Sequence, residues 1–240
     1  MKERIVCAYW GDAQSAASLA SMTGSGDAEI ITLTLDLGQG ADLEEVRDRA
    51  LAAGATRAHV LDVREEFARD YILPALRAGV HRPGQDASQD GNQDTQADAL
   101  ARPLVAKKLA EIAAIEQATV AADASGAHAN LWGRVGRTYA WTKSPQDAPD
   151  MPAEVDIAFE RGIPVSISGI PMGLTELIES LSLIAGHHGV GRLAQPALCG
   201  EAPAVTVLHT AHTALEARGL ATGSVRLKLL KGNCTVISHS

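Results

Sequence analysis

Aromatic residues are scarce in this chain. Two Phe, three Tyr and three Trp make up 3% of 240 residues. The core must therefore be packed from aliphatic side chains and abundant Ala, and each Trp stands out. Cysteine is equally sparse. Cys7, Cys199 and Cys234 are three and far apart, which excludes a disulfide framework and predicts free, mostly buried thiols in a reducing compartment. Basic residues are outnumbered, 21 Lys and Arg against 29 Asp and Glu. A net charge of −8 lacks the clustered cations that neutralise phosphates, so no nucleic-acid partner is expected. No uncharged apolar run is long enough to span a membrane, and the apolar stretch in "MKERIVCAYW" is too short for a signal peptide. The expectation is a cytoplasmic protein with no membrane partner.

What is present reads as an ordinary globular chain, 46% hydrophobic and 21% charged, long enough for one large or two small domains. The first half alternates strand and helix signals. "RIVCAY", "EIITLTLDL" and "TRAHVLDV" are β-branched runs. Between and after them, "DAQSAASLASM", "DLEEVRDRALAAGA" and "REEFARDYILPALRAGV" read as helices, the last two with apolar residues at helical spacing. Asp42 stands at a helix start with Glu44 and Glu45 in the first turn, which suits the helix dipole. This alternation predicts a parallel sheet with right-handed crossovers.

Residues 81–98, "HRPGQDASQDGNQDTQAD", carry no apolar side chain larger than Ala and read as a mobile loop. "ALARPLVAKKLAEIAAIEQA" follows as a long helix with Pro103 near its first turn. Later, "VDIAFERGIPVSISG" and "SVRLKLLKGNCTVISHS" predict hairpins, and "GLTELIESLSLIAGHHGVG" an amphipathic helix ending at glycines. The boundary falls between an α/β domain, 1–122, and an α+β domain, 123–240.

Several residues invite a chemical reading. In "RIVCAYWGDAQSAASLA", Gly11 and Ser15 sit at a strand–helix turn, where backbone donors welcome anions. Trp10 and Asp12 oppose that, one by volume and the other by charge. His187 and His188 end a helix, and His209 and His212 share one helix face three residues apart. Both pairs fit capping or packing better than metal binding, since no third ligand is evident. Trp132 beside Arg134 and Arg137 could grip a carboxylate, although structural ion pairing explains the same residues. Cys7 lies inside an apolar strand and reads as core.

The ordered run "AYWGDAQSAA", "LDLGQGADLEEVRDRALAAGA", "LDVREEFARDYILPAL", "ALARPLVAKKLAEIA", "NLWGR", "TKSPQDAPD", "VDIAFERGIPVSI", "LIESLSLIAGHHGVGR", "PAVTVLHTAHTALE" and "VRLKLLKGNCTVIS" resembles argininosuccinate synthase across most of the chain. "DLGQG" and "AGHHGVGR" are specific to that likeness. The resemblance implies a Rossmann-like sheet of the N-type ATP-pyrophosphatase (adenine nucleotide alpha hydrolase-like) kind, followed by a reduced α+β synthetase-like domain. The family joins citrulline to aspartate through a citrullyl-adenylate and forms tetramers.

The departures fall on the family's site. Its loop reads A-Y-S-G-G-L-D-T-S. Here Ala8, Tyr9 and Gly11 are kept and Ser15 replaces Thr, while Trp10, Asp12, Ala13, Gln14 and Ala16 replace Ser, Gly, Leu, Asp and Ser. The citrulline segment before "LARP" gives way to the Gln/Asp-rich stretch. The H-G-x-T-G-K-G-N-D-Q-V-R-F-E segment, which binds aspartate, is absent. The residue after W-G-R is Val135 instead of Ser, while Glu201 matches the family's Glu before T-P-A.

The expected remnant ATP loop is therefore Ala8, Tyr9, Trp10, Gly11, Asp12, Gln14 and Ser15, with Leu35. The residues expected to line an interdomain cleft are Trp10, Asn130, Trp132, Arg134 and Glu201, with Asp12, His128 and Arg134 as candidate catalytic groups. No metal site and no cofactor are expected. The partners expected are a small-molecule ligand and further copies of the chain, as dimer or tetramer. Two other readings stand beside this one: an ATP- and Mg²⁺-dependent ligase for a different substrate, and a non-catalytic partner of a full-length synthase.

Overall fold

The computed structural model describes residues 2–24, 28–40, 42–79, 96–121, 129–136, 138–194 and 199–240. The predicted opening elements form in order: β1 (Glu3–Ala8), α1 (Ala13–Gly24), β2 (Ala28–Asp36), α2 (Leu43–Ala52) and β3 (Arg57–Asp62). A helical stretch then begins as α3 (Arg64–Phe67), widens into a π-helical turn (Ala68–Ile72) and ends as α4 (Leu73–Arg77). Pro74, which has no N–H to donate four residues back, follows that widened turn. Helix α5 (Gln96–Glu116) leads to two short strands, β4 (Thr119–Val120) and β5 (Ala129–Asn130).

Compactness divides the chain into one unit of residues 1–67 with 96–130, and another of 68–95 with 131–240. The sequence reading uses a single boundary at 122/123. The stretch read as a loop to residue 98 lies outside the described residues as far as residue 95. Its last three residues already belong to α5. Pro103 is therefore inside the helix and not in its first turn, because the helix starts earlier than its apolar pattern suggests.

In the first unit the sheet runs β3-β2-β1-β4, all parallel. β2 lies inside the sheet, and its run Ile30–Leu35 is buried throughout, including the alternating Thr32 and Thr34. Leu19, Val46 and Ala50 from the helices pack with Cys7 and Ile30. Asp42 caps α2 by accepting the Glu45 backbone N–H at 3.1 Å. Glu116, at the end of α5, is buried and accepts hydrogen bonds from Arg57 and from His59 Nε2 at 2.9 Å. The His59 bond, with the charges of Arg57 and Arg4 behind it, holds the carboxyl below its ordinary value despite burial.

A depressed carboxylate stabilises the fold fully above the unfolded-state value of about 4.3, and that contribution is lost as pH falls through the folded value. Glu116→Gln should therefore flatten the acid limb of the stability–pH curve. Denaturant titrations between about pH 3 and pH 7 measure this, and an unchanged slope would remove the ion pair from the argument.

In the second unit, β6 (Gly133–Gly136), β7 (Ala153–Glu160), β8 (Ile163–Ile167), β9 (Ile170–Pro171), α6 (Leu174–His187), β10 (Arg192–Ala194), β11 (Cys199–Glu201), α7 (Pro203–Glu216), β12 (Gly223–Leu230) and β13 (Asn233–His239) follow. Both predicted hairpins form, within an antiparallel sheet ordered β13-β12-β7-β8-β9. Their turns are Arg161–Gly162 and Lys231–Gly232, all four residues at positive φ, as tight hairpins of right-twisted strands require. Val155, Ile157, Phe159, Val225, Leu227 and Leu229 are buried on one face of that sheet. Leu177, Ile178, Leu181, Val205, Leu208 and Leu215 are buried on the helices α6 and α7. A smaller antiparallel group pairs β10 with β11 and β11 with β6.

Candidate functional site

The strand–turn–helix at residues 8–16 is built from its own side chains. Tyr9 is buried, donates its N–H to the Leu33 carbonyl and accepts the Thr34 hydroxyl at 2.8 Å, which fixes the end of β1. Gly11 turns the chain at φ +75°. A Cβ there would press on Arg49 Nη2 at 3.0 Å and Val46 at 3.1 Å, and the positive φ itself favours Gly. Arg49 Nη1 donates to the Gly11 carbonyl at 3.1 Å.

The next residues take up two donors that an anion could use. The Asp12 carboxylate accepts the Ser15 backbone N–H at 2.6 Å, so it caps α1. Ser15 Oγ accepts the Trp10 N–H at 3.3 Å and lies 3.2 Å from the Asp12 carbonyl, to which it donates. Gln14 is placed by its backbone in the first turn of α1. Trp10 is half-buried, and its indole Nε1 is buried with no acceptor among the described residues. Leu35 is buried in the core, and its carbonyl accepts the Gln39 amide at 2.7 Å. Cys7, one strand position before Ala8, is buried, and desolvation pushes its thiol up to about 11, away from nucleophilic use.

The remaining candidates are distributed differently. His128 lies outside the described residues. Asn130 falls on β5, and the backbone of Arg134 on β6, opposite Glu201. Trp132 is buried. Glu201 is 1% exposed, and both carboxylate oxygens are engaged. Oε2 accepts the Ala140 N–H at 2.8 Å. Oε1 accepts the Trp141 N–H at 2.8 Å and both the N–H and hydroxyl of Thr142 at 2.7 Å. It holds an irregular backbone in place. Arg192, which the sequence reading passed over, donates from Nε to Thr142 Oγ1 and from Nη2 to the Thr142 carbonyl, both at 3.0 Å. Its guanidinium lies 3.8 Å from the centre of the Tyr139 ring. Nothing in the spacing of Glu201, Arg192 and residues 139–142 announces this arrangement, since it joins segments about sixty residues apart.

Among the histidines, His188 closes α6 as its C-cap residue and is buried, with its pKa lowered first by desolvation and then by His187 and Lys143. His212 is buried edge-on to Phe159 and sits 3.5 Å from Glu216. Among the described residues no group of three or more His, Cys, Asp or Glu gathers to hold a metal ion. No described helix is long and apolar enough to cross a membrane.

A four-stranded parallel sheet with a glycine turn after its first strand defines an ATP-pyrophosphatase type of Rossmann-like α/β fold, here with an α+β C-terminal domain. Residues 4–131 match the argininosuccinate synthase N-terminal HUP domain, and residues 126–228 match the C-terminal domain of the same enzymes. The chain belongs to the argininosuccinate synthase family. It is 31% identical over 294 residues to argininosuccinate synthase of Streptococcus suis strain 05ZYH33, covering 90% of this chain and 72% of that protein. It is 32% identical over 305 residues to that of Rubrobacter xylanophilus, covering 94% and 72%. Among solved structures, an NAD+ synthetase from Burkholderia pseudomallei matches with a TM-score of 0.32 and 20% identity over 50% of this chain and 52% of its own, too slight an overlap to carry an argument.

Proposed function

We propose that this argininosuccinate synthase-like protein no longer forms an adenylate and instead binds a small molecule without using ATP. The observation that carries the reading is the Asp12 carboxylate on the Ser15 N–H at 2.6 Å. A phosphate at a helix N-terminus needs those N–H groups and the positive end of the dipole. Here a carboxylate of the chain already holds that position, and the Trp10 N–H is taken by Ser15 Oγ. A polyphosphate would have to displace both contacts while facing the negative charge of Asp12. Both contacts favour a loop that has given up ATP.

The buried Trp10 Nε1 supports a replacement ligand, because a desolvated donor without an acceptor costs stability unless something binds it. Such a ligand presents a neutral hydrogen-bond acceptor to the indole. An enzymatic role for the protein would then rest on Asp12 or His128 as acid or base, with Arg134 as a further candidate that supplies positive charge. The cytoplasmic, homo-oligomeric character expected from sequence belongs to the same proposal.

Calorimetry with ATP and Mg²⁺, paired with a pyrophosphate-release assay containing citrulline and aspartate, tests the reading. The expected result is no saturation below about 1 mM nucleotide and no pyrophosphate. Micromolar affinity with pyrophosphate release would restore the ligase reading.

A further inference from the structure

The second unit carries an arrangement that neither the family match nor the loop at residues 8–16 explains. Three of the eight aromatic residues, Trp132, Tyr139 and Trp141, fall within ten positions of one another. Tyr139 and Trp141 are half-buried, in a stretch with no regular secondary structure. A buried carboxylate, Glu201, fixes the backbone of that stretch through residues 140, 141 and 142. Ordering irregular backbone around aromatic rings is how binding sites are held ready for a ligand.

Arg192 adds the recognition element. Its Nε and Nη2 are fixed on Thr142, and the Tyr139 ring lies on one face of the guanidinium. Nη1 has no partner among the described residues, so one edge of a rigid guanidinium is left to donate. Lys143, the residue after Thr142, adds a cation to this stretch in a chain of net charge −8. Lys143 is exposed and near His188, and the His187 and His188 rings are 5.4 Å apart. Glu201 is spent on the backbone, and the two acids that follow in the chain are paired, Asp147 with Ser144 Oγ at 2.7 Å and Asp150 with Lys231.

We propose that Arg192 and Tyr139 form a binding site for a small carboxylate carrying a flat apolar body. The carboxylate takes the free Nη1 edge in a charge-assisted bond, and the flat body lies beside the Tyr139 ring. A single fixed guanidinium edge suits one carboxylate better than a phosphate, which calls for several convergent donors. The site lies wholly in the second unit and stands whether or not the loop of the first unit binds nucleotide.

Benzoate, benzamide and inorganic phosphate are the probes, followed by Trp fluorescence and saturation-transfer NMR on the full chain. Benzoate should bind at least about tenfold more tightly than benzamide or phosphate, the factor expected for one charge-assisted bond. Tyr139→Leu leaves the Arg192–Thr142 bonds in place and should weaken benzoate about tenfold with an unchanged thermal midpoint. Arg192→Gln should abolish the preference over benzamide. Asp12→Gly, in the other unit, should leave benzoate binding intact. Equal affinity for benzamide, retention of binding in both site variants, or no saturation up to about 10 mM benzoate would each overturn the proposal.

Discussion

Glu201→Ala should unfold the second unit at markedly lower denaturant concentration, with a loss of about 3 kcal/mol. The carboxylate is 1% exposed and accepts four hydrogen bonds from Ala140, Trp141 and Thr142. Its removal leaves the buried N–H and hydroxyl of Thr142 without their acceptor, at about 1–3 kcal/mol for each orphaned buried group. The half-buried amides of Ala140 and Trp141 recover part of their loss from water. Glu201→Gln keeps one accepting oxygen but points an amide N–H toward the donors, so it should cost about half as much. Hydrogen exchange at the amides of residues 140–142 distinguishes local release from global unfolding. A loss below about 1 kcal/mol with unchanged exchange would mean that the 139–143 stretch is held by its other contacts. Those contacts are close ones: Lys143 donates to the Gly186 carbonyl at 2.9 Å, and a Cβ on Gly186 would collide with the Trp141 carbonyl.

Asp12→Gly should raise the affinity for inorganic pyrophosphate and for ATP·Mg²⁺ at least about tenfold, and Trp10→Ser combined with it should raise it further. The substitution removes a unit negative charge within contact distance of the phosphate position. It also frees the Ser15 N–H for the ligand. Even at a surface-like effective dielectric, one such charge is worth more than the 1.4 kcal/mol that makes a factor of about ten. The accompanying loss of the α1 cap costs about 1 kcal/mol, so the variant remains folded. Arg49 stays over the turn through its bond to the Gly11 carbonyl, a nearby cation that favours the incoming anion. Calorimetry against the unaltered protein gives the ratio. Equal, undetectable binding in both proteins would show that Asp12 is not what keeps phosphate out.

Much of the fold was legible in the sequence. β2 was legible as a strand from its run of Ile, Thr and Leu, side chains that suit a buried pleated surface. The Asp42 cap and the glycine-containing hairpin turns are local signals with local causes, and each formed as read. The start of α5 was less legible. Its first residues, Gln96, Ala97 and Asp98, are polar or small, and nothing in their chemistry separates a solvated helical turn from a loop.

The candidate site divides along the same line. The sequence by itself determined that Trp10 and Asp12 stand where a phosphate loop has small neutral residues, because that is a matter of residue identity and register. Only the tertiary structure decided the longer-range contacts. Trp10 keeps its indole N–H buried, and Glu201 spends its carboxylate on backbone about sixty residues away. A hydrogen bond depends on the distance between two atoms, and a sequence fixes that distance only for near neighbours. The Asp12 cap spans three residues and follows from local chemistry. The Glu201–Thr142–Arg192 arrangement is set by how β10, β11 and the 138–143 stretch pack, and no spacing along the chain encodes it.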